Sequence, residues 1–325
     1  MSATAANIFF VHLLSCRTVS ELYPPTKKYC ATDRAVTDSD RQWFHDRLQD
    51  LGFRSLGWIL SPEPAAESTV LHVPTVDDLS QHAQNVQELC KRLQLTPEEI
   101  QQIERITRGQ RDNPLWTAYR KGRITASNFQ PVLKVCSANR KPSKSLISAL
   151  LGDKDLSRVR AVQWGITHEE TAINEYMAAR DITVQPAGIW LHKSGPIGAS
   201  PDGIVDEQRI IEVKCPYSAR DKSLLDLVDG SHSEGKKKGF FLCRVNDSST
   251  EFALNRNDDV GHKYYDQIQG NMYLTGRSVC DLIVWTPLET AVISIVREEA
   301  WQKNIELLCE FSRKQFLPLV LASYK

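Results

Sequence analysis

Three charged residues near the middle of the chain, Asp202, Glu212 and Lys214, lie in otherwise apolar surroundings. Glu212 and Lys214 stand two positions apart in a run that has the character of a strand, so both side chains project from the same face. Ile211 and Val213 project from the opposite face, where they can enter a core. A polar turn follows the Asp202 segment and folds it back beside this strand. The sequence therefore predicts that the three charged groups meet at one site.

Two carboxylates and a backbone carbonyl, for which Val213 is the natural candidate, form a set of hard oxygen ligands. Such a set suits Mg²⁺ or Mn²⁺, which keep coordinated water for the substrate and the nucleophile. A lysine beside the ion can orient or activate that water, or stabilise charge that builds up on phosphorus. The alternative is a surface hairpin in which Glu212 and Lys214 form an ion pair worth at most about 1 kcal/mol.

Further patterns lie on both sides of this group. The chain reads W-x-x-x-R-x-G-x-I-T-A-S from Trp116 to Ser127, and Trp164 to Glu169 reads W-G-I-T-H-E. Asp202 stands in S-P-D-G, and Glu212 opens E-V-K-C-P. Tyr264 begins a Y-x-x-Q-x-Q pattern that contains Gln267.

Taken in order, these motifs resemble the lambda-type alkaline exonucleases, specifically their YqaJ-like viral recombinase branch within the PD-(D/E)XK nucleases. The resemblance covers roughly residues 113 to 320. It implies that Arg120 and Ser127 grip a phosphate of DNA, and that Glu169, rather than its neighbour Glu170, assists the metal site. It also implies that Gln267 lies beside the active site.

The predicted site divides into three groups. The catalytic residues are Asp202, Glu212, Lys214, Glu169 and Gln267; the substrate-binding residues are Arg120, Ser127, Arg123 and Tyr264; and the metal ligands for Mg²⁺ or Mn²⁺ are Asp202, Glu212 and Val213.

The resemblance implies a double-strand DNA exonuclease that works from 5′ to 3′, with low sequence specificity. The lambda-type relatives form a ring-shaped trimer, so a homotrimer is the corresponding expectation. Two alternatives use the same residues: a structure-specific endonuclease, and a retired nuclease that serves as a DNA-binding or scaffold protein.

The elements that must position these residues begin at Thr96, which can cap a helix in a capping box with Glu99. From there the sequence predicts an α/β (α+β) fold with a mixed central β-sheet flanked by helices, PD-(D/E)XK nuclease-like by resemblance. Residues 1–95 are predicted to form a mostly helical N-terminal region of unknown function, with helices over residues 38–51 and 77–93, and residues 96–325 are predicted to form the nuclease domain. Within that domain the sequence predicts a helix over residues 168–180 and a strand over residues 182–184. The N-terminal region could be a separate binding region, a remnant of a longer fused protein, or an error in the gene model.

Composition sets broad limits. The 325 residues carry a formal net charge of zero, so contact with a polyanion must come from local basic patches. The eight cysteines are scattered along the chain and are predicted to be reduced thiols, which favours an intracellular protein. We expect it in the nucleus. No apolar run approaches the length of a membrane span. The basic candidates for DNA contact are Arg120, Lys121, Arg123, Lys134, Arg140, Lys141, Lys144, Lys236, Lys237 and Lys238.

Overall fold

The structure is a computed structural model that describes residues 37–50, 73–152, 158–231, 240–246, 249–257 and 259–324. The chain divides into two compact units, Met1–Val70 and Leu71–Lys325. In the first unit the described residues form helix α1 (Asp38–Asp50), where the sequence predicts a helix.

Eleven helices and nine strands are described in the second unit. The helices are α2 (Val76–His82), α3 (Val86–Arg92), α4 (Pro97–Ile106), α5 (Pro114–Arg120), α6 (Phe129–Ser137), α7 (Lys144–Leu151), α8 (Arg160–Arg180), α9 (Leu224–Ser231), α10 (Asp259–Thr275), α11 (Lys303–Phe311) and α12 (Leu317–Ala322). The strands are β1 (Ile124–Thr125), β2 (Trp190–Leu191), β3 (Ile197–Ala199), β4 (Gly203–Ile204), β5 (Arg209–Lys214), β6 (Leu242–Arg244), β7 (Phe252–Leu254), β8 (Val279–Trp285) and β9 (Thr290–Val296).

The central sheet has four strands in the order β4-β5-β8-β9. Strands β5 and β8 run parallel, whereas β4 and β9 pair with their neighbours antiparallel, so the sheet is mixed. A three-stranded sheet, β1-β3-β2, and a β6-β7 hairpin complete the strand pairing of the described residues.

Helices cover both faces of the central sheet. On one face, Ile210 packs with Ile268 and Met272 of α10; on the other, Ile211 packs with Tyr176 of α8. The alternation along β5 is therefore the one that its sequence predicts. The α/β (α+β) prediction is confirmed.

Residues before the predicted boundary at 95/96 pack with the domain that follows. Val76, Leu89 and Leu93 are buried in the same core as Phe129. Residues 73–95 thus belong structurally to the second unit, while the start of the functional nuclease region stays a prediction. The single helix predicted over residues 77–93 is wrong, because Asn85 caps a new helix by accepting a hydrogen bond from the backbone of Glu88 at 3.0 Å. The capping box at Thr96 is confirmed.

A fully buried carboxylate on β8, that of Asp281, ties the sheet to α8. It accepts hydrogen bonds from Tyr176 on α8 at 2.6 Å, from Arg209 on β5 at 2.7 Å and from Ser294 on β9 at 2.6 Å. Burial alone would raise the pKa of Asp281, but the hydrogen bonds from Ser294, Tyr176 and Arg209 outweigh it and hold this pKa below its ordinary value.

We expect Asp281→Ala to lower the free energy of unfolding by about 3 kcal/mol, because it leaves Tyr176 and Arg209 without their buried acceptor. The pKa of Asp281 is lower in the folded protein than in the unfolded chain. Its carboxylate therefore stabilises the fold at pH values above the unfolded-state pKa, and this stabilisation is lost as the pH falls through the folded-state pKa. Urea unfolding of both proteins at pH 7 and at pH 3 measures the difference. The exposed Glu207→Ala variant is the control, and equal losses in the two variants would contradict the prediction.

Two further observations concern the described residues. None of the helices in the described ranges is long and apolar enough to cross a membrane. All six described cysteines are free thiols, while Cys16 and Cys30 lie outside those ranges.

Candidate active site

Strand β5 places Glu212 at the centre of the site. Its carboxylate is 1% exposed and contacts α10, which supplies two amide donors. Gln267 donates to Oε1 at 2.6 Å, and Asn271, one helical turn further on, donates to Oε2 at 2.8 Å. The ammonium of Lys214 forms an ion pair with Oε1. The buried charge is thereby fully hydrogen-bonded, as a carboxylate in an apolar core requires.

Lys214 remains 19% exposed and lies between carboxylates and an aromatic ring. Its Nζ is 5.0 Å from the centre of the Tyr264 ring, within the range of a cation–π interaction. Burial disfavours the ammonium, yet the charges of Glu212 and Asp202 hold the pKa of Lys214 above its ordinary value. The side chain is therefore a fixed cation at neutral pH.

Asp202 joins the same end of β5 from the start of β4. Its Oδ2 accepts a hydrogen bond from the backbone of Val213 at 2.6 Å, and its own N–H donates to Ile211 at 3.2 Å. The N–H and C=O of a strand residue point towards the same edge, so the Val213 carbonyl also faces the Asp202 side. Burial raises the pKa of Asp202, whereas Lys214 lowers it.

Helix α8 contributes a third carboxylate. Glu169 is partly buried, and burial together with the charge of Asp202 raises its pKa to about 7, while Arg111 and Lys214 act in the opposite direction. Glu170 beside it is exposed. The helix begins at Arg160, eight residues before the predicted start at His168, so Gly165 lies inside it.

A guanidinium that has no carboxylate partner among the described residues also lines the site. Arg120 stacks over the Trp116 ring at 4.1 Å and contacts Thr125 Oγ1 at 3.4 Å. Burial lowers the pKa of Arg120 to about 10, so it is still a cation at neutral pH. The indole N–H of Trp116 donates a hydrogen bond to Ser200 Oγ at 2.9 Å, which holds the ring in place. The hydroxyl oxygens of Ser127 and Thr125 lie 3.4 Å apart.

The five catalytic candidates and Arg120 line one open cavity of about 650 Å³. It brings together the predicted residues Arg120, Ser127, Glu169, Asp202, Glu212, Val213, Lys214 and Gln267. Carboxylates and cations from β4, β5, α8 and α5 thus face a common space large enough for a nucleotide. The predicted convergence of Asp202, Glu212 and Lys214 on one site is present in the structure.

Two predicted substrate-binding residues do not line this cavity. Arg123 is 2% exposed and donates to the backbone carbonyls of Gly195 and Tyr119, each at 2.7 Å, so its guanidinium is used inside the fold. Tyr264 packs on Lys214 and on Phe241, and it therefore contacts a catalytic candidate and not the space where substrate would lie.

The predicted basic surface is partly neutralised. Lys121 pairs with Asp77, and Lys134 pairs with Asp259. Arg140, Lys141 and Lys144 line a different cavity, beside α7. Lys236, Lys237 and Lys238 lie outside the described residues.

The structure adds residues that the motifs did not supply. Asn271 follows Gln267 by four positions, so both lie on one face of α10, a spacing that could have revealed it. Gln110 and Arg111 precede the first motif and also line the cavity, but nothing in their local sequence indicates this.

The residues present fit a hard divalent cation. Among the described residues, no three side chains of His, Cys, Asp or Glu are gathered closely enough to hold a metal by themselves. A cation here would take its ligands from two carboxylates, a backbone carbonyl and water, which is the pattern of Mg²⁺. Burial, together with the charge of Asp202, raises the pKa of both Glu169 and Glu212, and a bound cation would favour the charged form of these carboxylates.

The chain was compared with known proteins. Residues 115–278, slightly more than half of the chain, match the model of the YqaJ-like viral recombinase domain. An alkaline nuclease of Autographa californica nuclear polyhedrosis virus is 30% identical in a match 216 residues long, and the match covers 62% of this chain and 48% of the relative. The chain thus spans about half the length of this curated relative.

The solved structures to which the chain is similar include an alkaline exonuclease from Laribacter hongkongensis, with a TM-score of 0.41 and 22% identity over 64% of this chain and 93% of that one. The shutoff and exonuclease protein of Kaposi's sarcoma-associated herpesvirus has a TM-score of 0.44 and 13% identity over 74% of this chain and 78% of that one. The domain match, which confirms the resemblance of the motifs, carries the conclusion: the chain belongs to the YqaJ-like viral recombinase family.

Proposed function

We propose that the chain is a metal-dependent deoxyribonuclease, and specifically a double-strand exonuclease that degrades DNA from 5′ to 3′. The observation that carries the proposal is the common cavity, which Asp202, Glu212 and Lys214 line together with Arg120 and Ser127. Acidic ligands and phosphate-binding cations in one cavity are what hydrolysis of a phosphodiester needs. The alkaline nuclease among the relatives supports the same reaction class.

In this proposal Asp202, Glu212 and the Val213 carbonyl would hold Mg²⁺ or Mn²⁺. When bound, the cation neutralises negative charge on the phosphate and polarises it for attack by water. Arg120 and Ser127 hold a phosphate oxygen in place, because Arg120 has no carboxylate partner to compete for its donors among the described residues. Lys214, fixed by Glu212 and Tyr264, stabilises the charge that develops on the phosphate during cleavage.

Glu169 and Gln267 have supporting roles. With a pKa of about 7, Glu169 can accept a proton from an attacking water near neutral pH. Gln267 holds Glu212 at 2.6 Å and so fixes the carboxylate towards the cavity. DNA is the proposed partner, and contacts to phosphates alone give low sequence specificity. A homotrimer stays a prediction that the molecular mass in solution would test.

The decisive assay is nucleotide release from linear duplex DNA labelled at either the 5′ or the 3′ end. We expect early release of the 5′ label with Mg²⁺, no release with EDTA, and no cutting of covalently closed circular DNA. Cutting of the circle would favour the endonuclease alternative. Binding without metal-dependent release of either label would favour a retired nuclease and would overturn the proposal.

Two adjacent glutamates allow a matched test of the Glu169 role. Glu169→Gln should lower kcat about 100-fold, because proton transfer by a positioned carboxylate contributes on this scale. Glu170→Gln changes an exposed neighbour that lines the same cavity but has no assigned catalytic role, and it should retain nearly full activity. The assay is steady-state nucleotide release with Mg²⁺. Similar losses in the two variants would assign Glu169 no special role.

A further inference from the structure

The turn that precedes α5 has an unusual backbone. Gly109 and Gln110 both have positive φ, at 88° and 45°, and Gly109 opens the short 3₁₀ turn Gln110–Asp112. Positive φ is uncommon outside glycine, asparagine and aspartate. The other such non-glycine positions among the described residues, Asn139 and Asp181, are of the tolerant types. Gln110 is therefore held in a conformation that its own side chain does not favour.

Two hydrogen bonds from the Gln110 side chain hold this turn. The Gln110 amide donates to the carbonyl of Pro201 at 2.8 Å and to that of Ala187 at 3.2 Å. Pro201 immediately precedes Asp202, so the turn is attached to the segment that carries a predicted metal ligand. Backbone strain of this kind persists only where the surrounding structure enforces it, and it occurs often at functional sites.

The attachment places Arg111 on the cavity wall. Glu169 and Asp202 line the same cavity, and the positive charge of Arg111 acts to lower the pKa of both carboxyl groups. Even so, Arg111 forms no ion pair and no side-chain hydrogen bond within the described residues, and it is exposed. Its donors are therefore available to a ligand. Arg120 is the other guanidinium on the wall, and it lies stacked on Trp116.

We propose that Arg111 binds a second phosphate of the DNA backbone, distinct from the one assigned to Arg120. A polynucleotide carries one phosphate per nucleotide, so a strand that crosses the cavity presents more than one anion to its wall. The planar guanidinium suits a phosphate because it donates two parallel hydrogen bonds. This inference rests on the proposed function, since it takes DNA as the substrate.

The salt dependence of DNA binding tests the proposal. All proteins carry Lys214→Ala so that the duplex stays intact, and Kd is measured by fluorescence anisotropy over a series of NaCl concentrations. Each phosphate contact contributes about 0.9 to the slope of log Kd against log salt. Arg111→Ala should reduce the slope by about this amount and raise Kd about eightfold at 0.1 M NaCl. Arg111→Lys should restore the slope, because the charge is retained.

The matched control is Arg105→Ala, which removes an exposed arginine of α4 that does not line the cavity. It should keep the slope of the parent protein. The proposal is overturned if Arg111→Ala and Arg105→Ala give the same slope while both retain the parent melting temperature. Failure of the proposed function is a separate outcome: wild-type protein then releases no nucleotide with Mg²⁺, whereas the slopes still report whether Arg111 contacts phosphate.

Discussion

Replacement of Lys214 by alanine is expected to lower kcat for nucleotide release about 1000-fold, the scale on which loss of one preorganised electrostatic donor acts. The ammonium is held by Glu212 and Tyr264 and faces the cavity, so its loss removes a positive charge where negative charge develops. Single-turnover release of nucleotide from linear duplex DNA with Mg²⁺ measures the effect. Lys214→Arg should recover little activity, because the planar guanidinium differs in shape from the ammonium.

A second lysine, Lys263 of α10, provides the control for this prediction. Lys263 is partly buried near Lys214 but does not line the cavity, and Lys263→Ala should retain activity within a few-fold of wild type. Circular dichroism must show that Lys214→Ala is folded, because Glu212 then keeps only the donors from Gln267 and Asn271. A folded Lys214→Ala protein with wild-type kcat would exclude Lys214 from the reaction.

The second large effect is expected for Asp202→Asn. The amide oxygen can still accept the hydrogen bond from Val213, so the local fold should survive, but a charged metal ligand is lost. Loss of a metal that contributes several kcal/mol corresponds to a fall in kcat of about 1000-fold or more. The titration of Mn²⁺ by electron paramagnetic resonance gives a readout that is independent of activity, and we expect weaker binding of at least tenfold.

Asp206 offers a matched comparison, because it lies on the exposed turn between β4 and β5. Asp206→Asn should leave Mn²⁺ affinity and kcat close to wild type. If Asp202→Asn binds Mn²⁺ as tightly as the wild-type protein, the proposed ligand set is wrong even if activity is lost, and Asp202 would then act only by holding the backbone of Val213.

The positions of Glu212 and Lys214 at the centre of the site could be predicted from the sequence, because they depend only on local rules. Alternation of side chains on a strand placed Glu212 and Lys214 together and Ile211 opposite, and the structure agrees. The capping box at Thr96 is similarly local. Such patterns fix the direction of a side chain without information about distant residues.

The periphery of the site depends on tertiary contacts that the sequence does not encode locally. Gly122, with φ of 73°, reverses the chain after α5, so that Arg123 points inward to Gly195. Arg120 and Arg123 were both predicted to bind substrate, yet only Arg120 lines the cavity. The strand predicted over residues 182–184 is absent, because only Gln185 finds a partner, in a single bridge to Ile204. Strand β9 was missed although its β-branched run is typical of a strand.

Helix α8 joins the Asp281 network to the cavity. Tyr176, which donates to Asp281, follows Glu169 by seven positions, about two turns of the same helix. Because a continuous helix moves as a stiff rod, any loosening of the Tyr176 anchor would also shift the carboxylate two turns away. We therefore expect substitutions at Tyr176 to produce heat-sensitive proteins, in which turnover declines at temperatures below the onset of global melting.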